Sequence, residues 1–291
     1  MAAVPTEFKM EPTIKIQSAK DSETDQYARF SWYGDQGVGK STLAATIALW
    51  IRANFPGKRA LVISSPGESI DAYKPYPNEI KVVRIDRWDQ LAEILILLRR
   101  TKDSGLFCAV IWDTWPSRLA MMKIAGIDLS AEEATDLIRN PHKLTVTPQK
   151  GQDGFSLWRD IASLQFTAYI SFAELPIHMA VLFQPEERED KEGEMHVGPA
   201  LTPQAAQLIR PQLKMCGYLY TKEVESVDLL VPSRRAISEN VRERKLLIEK
   251  HDLFFAKGPS NKLGAVVTNP TWSRLAQAIG ADPLQIEEGE D

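Results

Sequence analysis

Cysteine is scarce in this chain, which excludes a disulfide-built scaffold. Only Cys108 and Cys216 occur among 291 residues. They lie far apart, inside the apolar stretches LFCAVIW and LKMCGYLY, where buried free thiols are expected rather than a metal or redox pair. His142, His178, His196 and His251 have no metal-ligand spacing, so no structural zinc is indicated, and His178 reads as a core residue of an apolar strand. No apolar run approaches the ~18 residues of a membrane-spanning helix. The opening MAAVPTEFKMEPTIKI lacks the basic flank and apolar centre of an export signal. A cytoplasmic protein with no membrane contact is therefore expected. A large charge of one sign is missing too: the formal net charge is −4, so any nucleic-acid contact must be local. No internal repeat is visible.

A full core can be built from a composition that is 44% hydrophobic and 25% charged, an ordinary soluble balance. Residues 1–25 mix Pro, Lys, Ser, Asp and Glu without periodicity and read as an arm, followed by one domain over 26–280 and an acidic tail over 281–291. Tyr27–Tyr33 reads as a strand ending in a tight turn, and Lys40–Ala53 as a helix with Leu43, Ile47 and Trp50 on its apolar face. Strands are expected at Arg59–Ser65, Ile80–Ile85, Leu106–Asp113 and Ile177–Gln184, with helices at Trp88–Arg100 and Phe155–Glu174. The stripe Trp158, Ile161, Leu164, Gln165 and Ala168 on the second helix reads as core packing. Residues 114–154 form a long, partly helical excursion and 185–203 a charged loop. Gln204–Ile209 looks helical. Strands at Tyr218–Val224, Asp228–Val231, Lys245–His251 and Ala265–Thr268 follow. Alternation of strand and helix, then several strands together, predicts an α/β fold whose mostly parallel sheet is extended by C-terminal antiparallel strands.

One segment carries specific chemistry. Gly34-Asp35-Gln36-Gly37-Val38-Gly39-Lys40-Ser41-Thr42 fits G-x-x-x-x-G-K-[ST] between a strand and a helix. There glycines let backbone N–H groups curl around phosphates, and the helix start adds its positive end. Lys40 is expected on the β- and γ-phosphates of ATP, and Ser41 on Mg²⁺. A second carboxylate is needed at a strand end to hold Mg²⁺ through water, and Asp113, closing LFCAVIWD, is the candidate. Glu68 is the candidate water-activating group, provided its strand lies beside the loop strand, with Asp86 as a weaker competitor. Gln184 ends the strand IHMAVLFQ, at the edge where ligands of open α/β sheets bind, and its amide is placed to contact the γ-phosphate.

The loop GDQGVGKST, the strands AVIWDT and AVLFQ, the segment VGPALTPQAAQLIRPQLKMCGYLY and the late DLFFAKGPSNKLG together resemble the AAA-type nucleotide-binding proteins of bacteriophages. That family looks like a pared-down RecA core and includes single-strand-annealing recombination ATPases. The resemblance implies a RecA-like P-loop ATPase that assembles into a ring or filament on single-stranded DNA. It also implies a phage or host single-strand-binding or replication protein as partner, and the bacterial host cytoplasm as location. In RecA-type enzymes the catalytic glutamate follows the second strand, an amide follows the fourth, and loops after the third and fourth strands hold DNA. The resemblance thus assigns these roles to Glu68, Gln184, residues 114–154 and residues 185–203. Glu68 departs from the pattern by lying slightly late, after Pro66-Gly67. By the same resemblance Lys257 and Lys262 reach the γ-phosphate of a neighbouring subunit.

Residues 186–195 are mostly acidic and would repel phosphate. Arg139, His142, Lys143 and Lys150 in the earlier excursion suit it better. A nucleotide-dependent scaffold or loader that binds a protein partner without touching DNA is the alternative reading. A nucleoside kinase is disfavoured because the arginine-rich RRAISENVRERK comes late and follows strands, and a partition-type ATPase because position 35 is Asp rather than Lys.

Overall fold

The computed structural model describes residues 27–65, 67–87, 89–104, 106–116, 154–190, 192–225 and 240–281. Its centre is an eight-stranded sheet in the order β10-β9-β8-β1-β5-β4-β2-β3. The strands are β1 (Arg29–Tyr33), β2 (Arg59–Ser64), β3 (Ile80–Arg84), β4 (Phe107–Asp113), β5 (His178–Phe183), β8 (Met215–Glu225), β9 (Asn240–Leu247) and β10 (Val266–Thr268). From β8 across to β3 every pairing is parallel, while β9 and β10 join antiparallel. This is the RecA-like P-loop α/β arrangement expected from the chain. It follows from strands such as β1, β4 and β5, whose residues are almost all buried because helices cover both sheet faces.

Helices α1 (Lys40–Ala45), α2 (Ile47–Asn54) and α7 (Trp272–Ala278) bury one apolar cluster against the sheet, with Phe30, Leu43, Ile47, Leu219, Leu246 and Trp272 among its members. The other face carries α3 (Asp89–Ser104), α4 (Gly154–Ala173) and α5 (Pro203–Ile209), packed around Trp112, Trp115, Phe172 and Phe183. The single helix expected over 40–53 is broken at Thr46. Its hydroxyl donates to the Leu43 carbonyl and accepts the Trp272 N–H at 2.8 Å, docking the end of the folded body onto the helix pair. Arg29 is buried and donates to the carbonyls of Ala173, Leu175 and Ile177, closing the C-terminal end of α4. Ile161, Gln165 and Ala168 of the expected α4 stripe are buried; the Trp158 side chain lies outside the described residues. Gln165 does more than pack, since its Oε1 accepts from Thr202, the N-cap of α5.

His178 is a core residue: its Nδ1 accepts the Ala28 N–H at 3.1 Å, and burial pulls its pKa down to about 3. Cys108 and Cys216 are buried free thiols, each pushed up to about 12 by burial. The charged segment after β5 is not a loop. It forms an antiparallel hairpin, β6 (Pro185–Glu189) with β7 (Met195–Pro199). The hairpin stands outside the main sheet and is anchored by the Tyr33 hydroxyl on the Val197 carbonyl and by Val197 pairing with Phe255. The strand expected at Asp228–Val231 lies outside the described residues. Among those described, no helix is long and apolar enough to cross a membrane.

Candidate functional site

Strand β1 delivers the chain to the loop 34–39 at the carboxyl edge of the sheet, and α1 leads away from it. A Cβ at Gly34 would lie 2.1 Å from the Leu219 carbonyl oxygen, so only glycine lets the loop leave β1 beside β8. Gly37 and Gly39 have φ of 84° and 94°, the left-handed region in which a side chain is strained. Lys40 is only 7% exposed. Its Nζ donates to the carbonyls of Gly34 at 2.6 Å and Asp35 at 2.9 Å, and to Gln184 Oε1 at 3.5 Å. Burial lowers its pKa, opposed by the charges of Glu68, Asp113 and Asp35. The ammonium is thus held at the loop mouth by neutral acceptors that a phosphate oxygen can replace. Asp35, Gln36 and Thr42 are exposed and Val38 is half-buried.

The strand order explains why Gln184 arrives here: β5 lies between β1 and β4, so its end stands between Lys40 and Asp113. Asp113 ends β4 and is 2% exposed. Its Oδ2 accepts the Tyr73 hydroxyl at 2.6 Å. Burial raises its pKa, while the hydroxyls of Tyr73 and Ser41 and the charge of Lys40 hold it down. A carboxylate beside a serine hydroxyl, with an amine close by, is a hard-oxygen donor set that fits Mg²⁺ bridged to phosphate.

Glu68 reaches this edge by a route other than the one expected. Strand β2 is not beside β1, because β5 and β4 intervene. The turn closed by Glu68 N–H on the Ser65 carbonyl carries the carboxylate inward, where Thr114 Oγ1 donates to its Oε1 at 2.5 Å. Ser65 Oγ in turn donates to the Thr114 carbonyl at 2.6 Å; the Asp113–Thr114 peptide is cis. The charge of Glu68 acts on both Lys40 and Asp113. Asp86 is exposed at the end of the edge strand β3, its N–H bonded to Gln90. Lys257 pairs through its backbone with Cys216 and donates from Nζ to the Pro211 carbonyl at 3.2 Å. Lys262 is exposed on the short helix α6 (Ser260–Leu263). Neither lysine hydrogen-bonds to the phosphate loop of its own chain. Of the 114–154 excursion, residues 117–153 lie outside the described residues, with Arg139, His142, Lys143 and Lys150 among them.

Sequence reasoning missed Tyr73 and Thr114. No spacing rule marks a tyrosine on a 3₁₀ turn (Asp71–Tyr73) forty residues from the carboxylate it serves. Because the Tyr73 hydroxyl lowers the Asp113 pKa, removing it leaves burial less opposed and raises that pKa further. Tyr73→Phe is therefore expected to move the acid limb of Mg²⁺-dependent nucleotide binding to higher pH, read by Mg²⁺ titrations over a pH series. A midpoint identical to the parent's would show that Tyr73 only fills space.

A family model described as AAA domain matches residues 26–260, a span that contains the loop, Glu68, Asp113, Gln184 and Lys257. No curated protein matches the chain.

Proposed function

This chain belongs to the AAA domain family, and from that premise we propose that it binds ATP with Mg²⁺, hydrolyses it, and couples turnover to single-stranded DNA in recombination, by annealing or strand exchange. The observation that carries the nucleotide reading is the convergence of Lys40, Gln184 and Asp113 at one sheet edge. Lys40 and the loop N–H groups hold phosphate, and Ser41 with Asp113 hold the cation. Gln184 bridges the γ-phosphate position and the hairpin that follows it. Glu68, fixed by Thr114, orients the attacking water and takes up its proton. Bound there, Mg²⁺ would offset charge on the phosphates. The fit of these residues to a triphosphate is the support for ATP over other anions.

Coupling to DNA rests on the family resemblance and on the basic residues of the 114–154 excursion. Measuring turnover with and without single strands at two salt concentrations tests it, and stimulation that weakens with salt is the expected result. Changing Lys143 and Lys150 together to Ala should lower affinity for all single strands alike and flatten the log–log salt slope by about 1.4 units, ~0.7 per lost phosphate contact. An unchanged slope would remove these residues from the interface.

The hairpin β6–β7 favours the second reading, a nucleotide-dependent loader of a protein partner. Its Glu187, Glu189, Glu192 and Glu194 lie along the hairpin that leads away from Gln184, and they disfavour a phosphate backbone along it. DNA-independent turnover with a stable heterocomplex would decide for it. In either case Lys257 and Lys262 are proposed to act on a neighbour's γ-phosphate within a homo-oligomer, which makes hydrolysis a property of the assembly.

A further inference from the structure

We propose that Arg244 is a phosphate-binding residue of the nucleotide site, supplied by the same subunit from strand β9 and directed to the α- and β-phosphates. This rests on the nucleotide reading above. Arg244 pairs with Thr221 of β8, and Leu246, two residues on, belongs to the core on the α1 face. Alternation along a strand puts Arg244 on that same face, and there its side chain meets the loop. A Cβ built on Gly39 would lie 2.4 Å from Arg244 Nε, 3.1 Å from its Cδ and 3.3 Å from its Cζ. The guanidinium therefore lies against the loop residue that precedes Lys40.

The position is fixed from behind. The Arg244 N–H donates to Asn269 Oδ1 at 3.1 Å, and the Asn269 N–H donates to the Arg244 carbonyl at 2.7 Å. To make both bonds, Asn269 adopts φ of 46°, the sole left-handed non-glycine among the described residues. The charges on β9 are also unequally treated. Arg242 pairs with Glu223 and Lys245 with Glu243. The Arg244 guanidinium has no hydrogen bond or ion pair among the described residues, though it leans on the loop whose N–H groups are proposed above to hold phosphate.

An exposed, solvated arginine on the strand is the ordinary alternative, but solvation alone gives no reason to lie on a glycine backbone. Guanidinium presents five donors in a planar fork that matches phosphate oxygens. The middle of a P-loop cradles the α- and β-phosphates, whereas its lysine serves β and γ. A cation beside Gly39 is thus shared by ATP and ADP, which sets it apart from groups that read the γ-phosphate.

The test titrates full-length parent, Lys40→Ala, Arg244→Ala and Arg244→Lys with ADP and with a non-hydrolysable ATP analogue, both with Mg²⁺, and melts each protein without nucleotide. Arg244→Ala is expected to raise both dissociation constants at least tenfold with the unliganded melting temperature unchanged, and Arg244→Lys to raise them less. Parent-like affinities in Arg244→Ala, with Lys40→Ala impaired, overturn the proposal and leave the nucleotide reading intact. Absence of binding by the parent overturns that reading instead. A loss confined to the ATP analogue overturns the phosphate assignment. Affinity and unliganded stability falling together, without rescue by lysine, would make Arg244 a structural residue.

Discussion

Replacing Lys40 by Ala is expected to cut ATP turnover by about 10²–10³-fold, the scale on which a single preorganised donor to developing charge acts. The side chain is buried, and its ammonium is held by two loop carbonyls and Gln184, so it enters the reaction already aimed. Its removal leaves the carbonyls of Gly34 and Asp35 without that donor, at a cost on the order of 1 kcal/mol, too little to unfold a domain with this core. The loop conformation itself depends on glycines at 34, 37 and 39 rather than on the lysine. The variant should therefore keep the parent's circular dichroism and melt near it while failing in a coupled turnover assay. Normal turnover would show that the loop is not the hydrolytic site.

What the sequence made legible was local. The loop is readable because its phosphate geometry is made by consecutive residues, and Asp113 because a strand buried on both faces must read as an apolar run, which the carboxylate then ends. Gln184 is readable for the same reason. The strand order is not local: nothing in Arg59–Ser64 says that β4 and β5 lie between it and β1, so the expected route for Glu68 was wrong although the residue arrives near Lys40. The β6–β7 hairpin escaped because its strands pair outside the main sheet and bury little, leaving no alternation to see against the charges. The break at Thr46 was invisible in a run of good helix formers, since its cause is a helix start 226 residues later in the chain. Arg244 was not legible because β9 begins at Asn240, ahead of the expected Lys245, so Arg244 falls just before the expected strand rather than on one with two faces.

Asp113→Asn should separate cation binding from nucleotide docking. The substitution keeps shape and an oxygen able to accept the Tyr73 hydroxyl but removes the charge that a Mg²⁺-bound water needs. Lys40 and the loop N–H groups are untouched, so nucleotide affinity without metal is expected to stay close to the parent's. The Mg²⁺ concentration for half-maximal turnover should rise at least tenfold, and turnover at ordinary Mg²⁺ should fall about 10²-fold, the scale of one lost charge-stabilising contact. Stability carries an independent sign. Burial raises the Asp113 pKa in the folded protein, so above the folded pKa the ionised carboxylate opposes folding, and that penalty fades as pH falls through it. The neutral amide has no such penalty, so without metal the variant should melt no lower than the parent at neutral pH. Adding Mg²⁺ with nucleotide should raise the parent's melting temperature through ligand binding to the folded state, and the variant's much less. If the variant instead melts well below the parent without metal and responds to Mg²⁺ as the parent does, Asp113 is a structural end to β4 and the cation is held elsewhere.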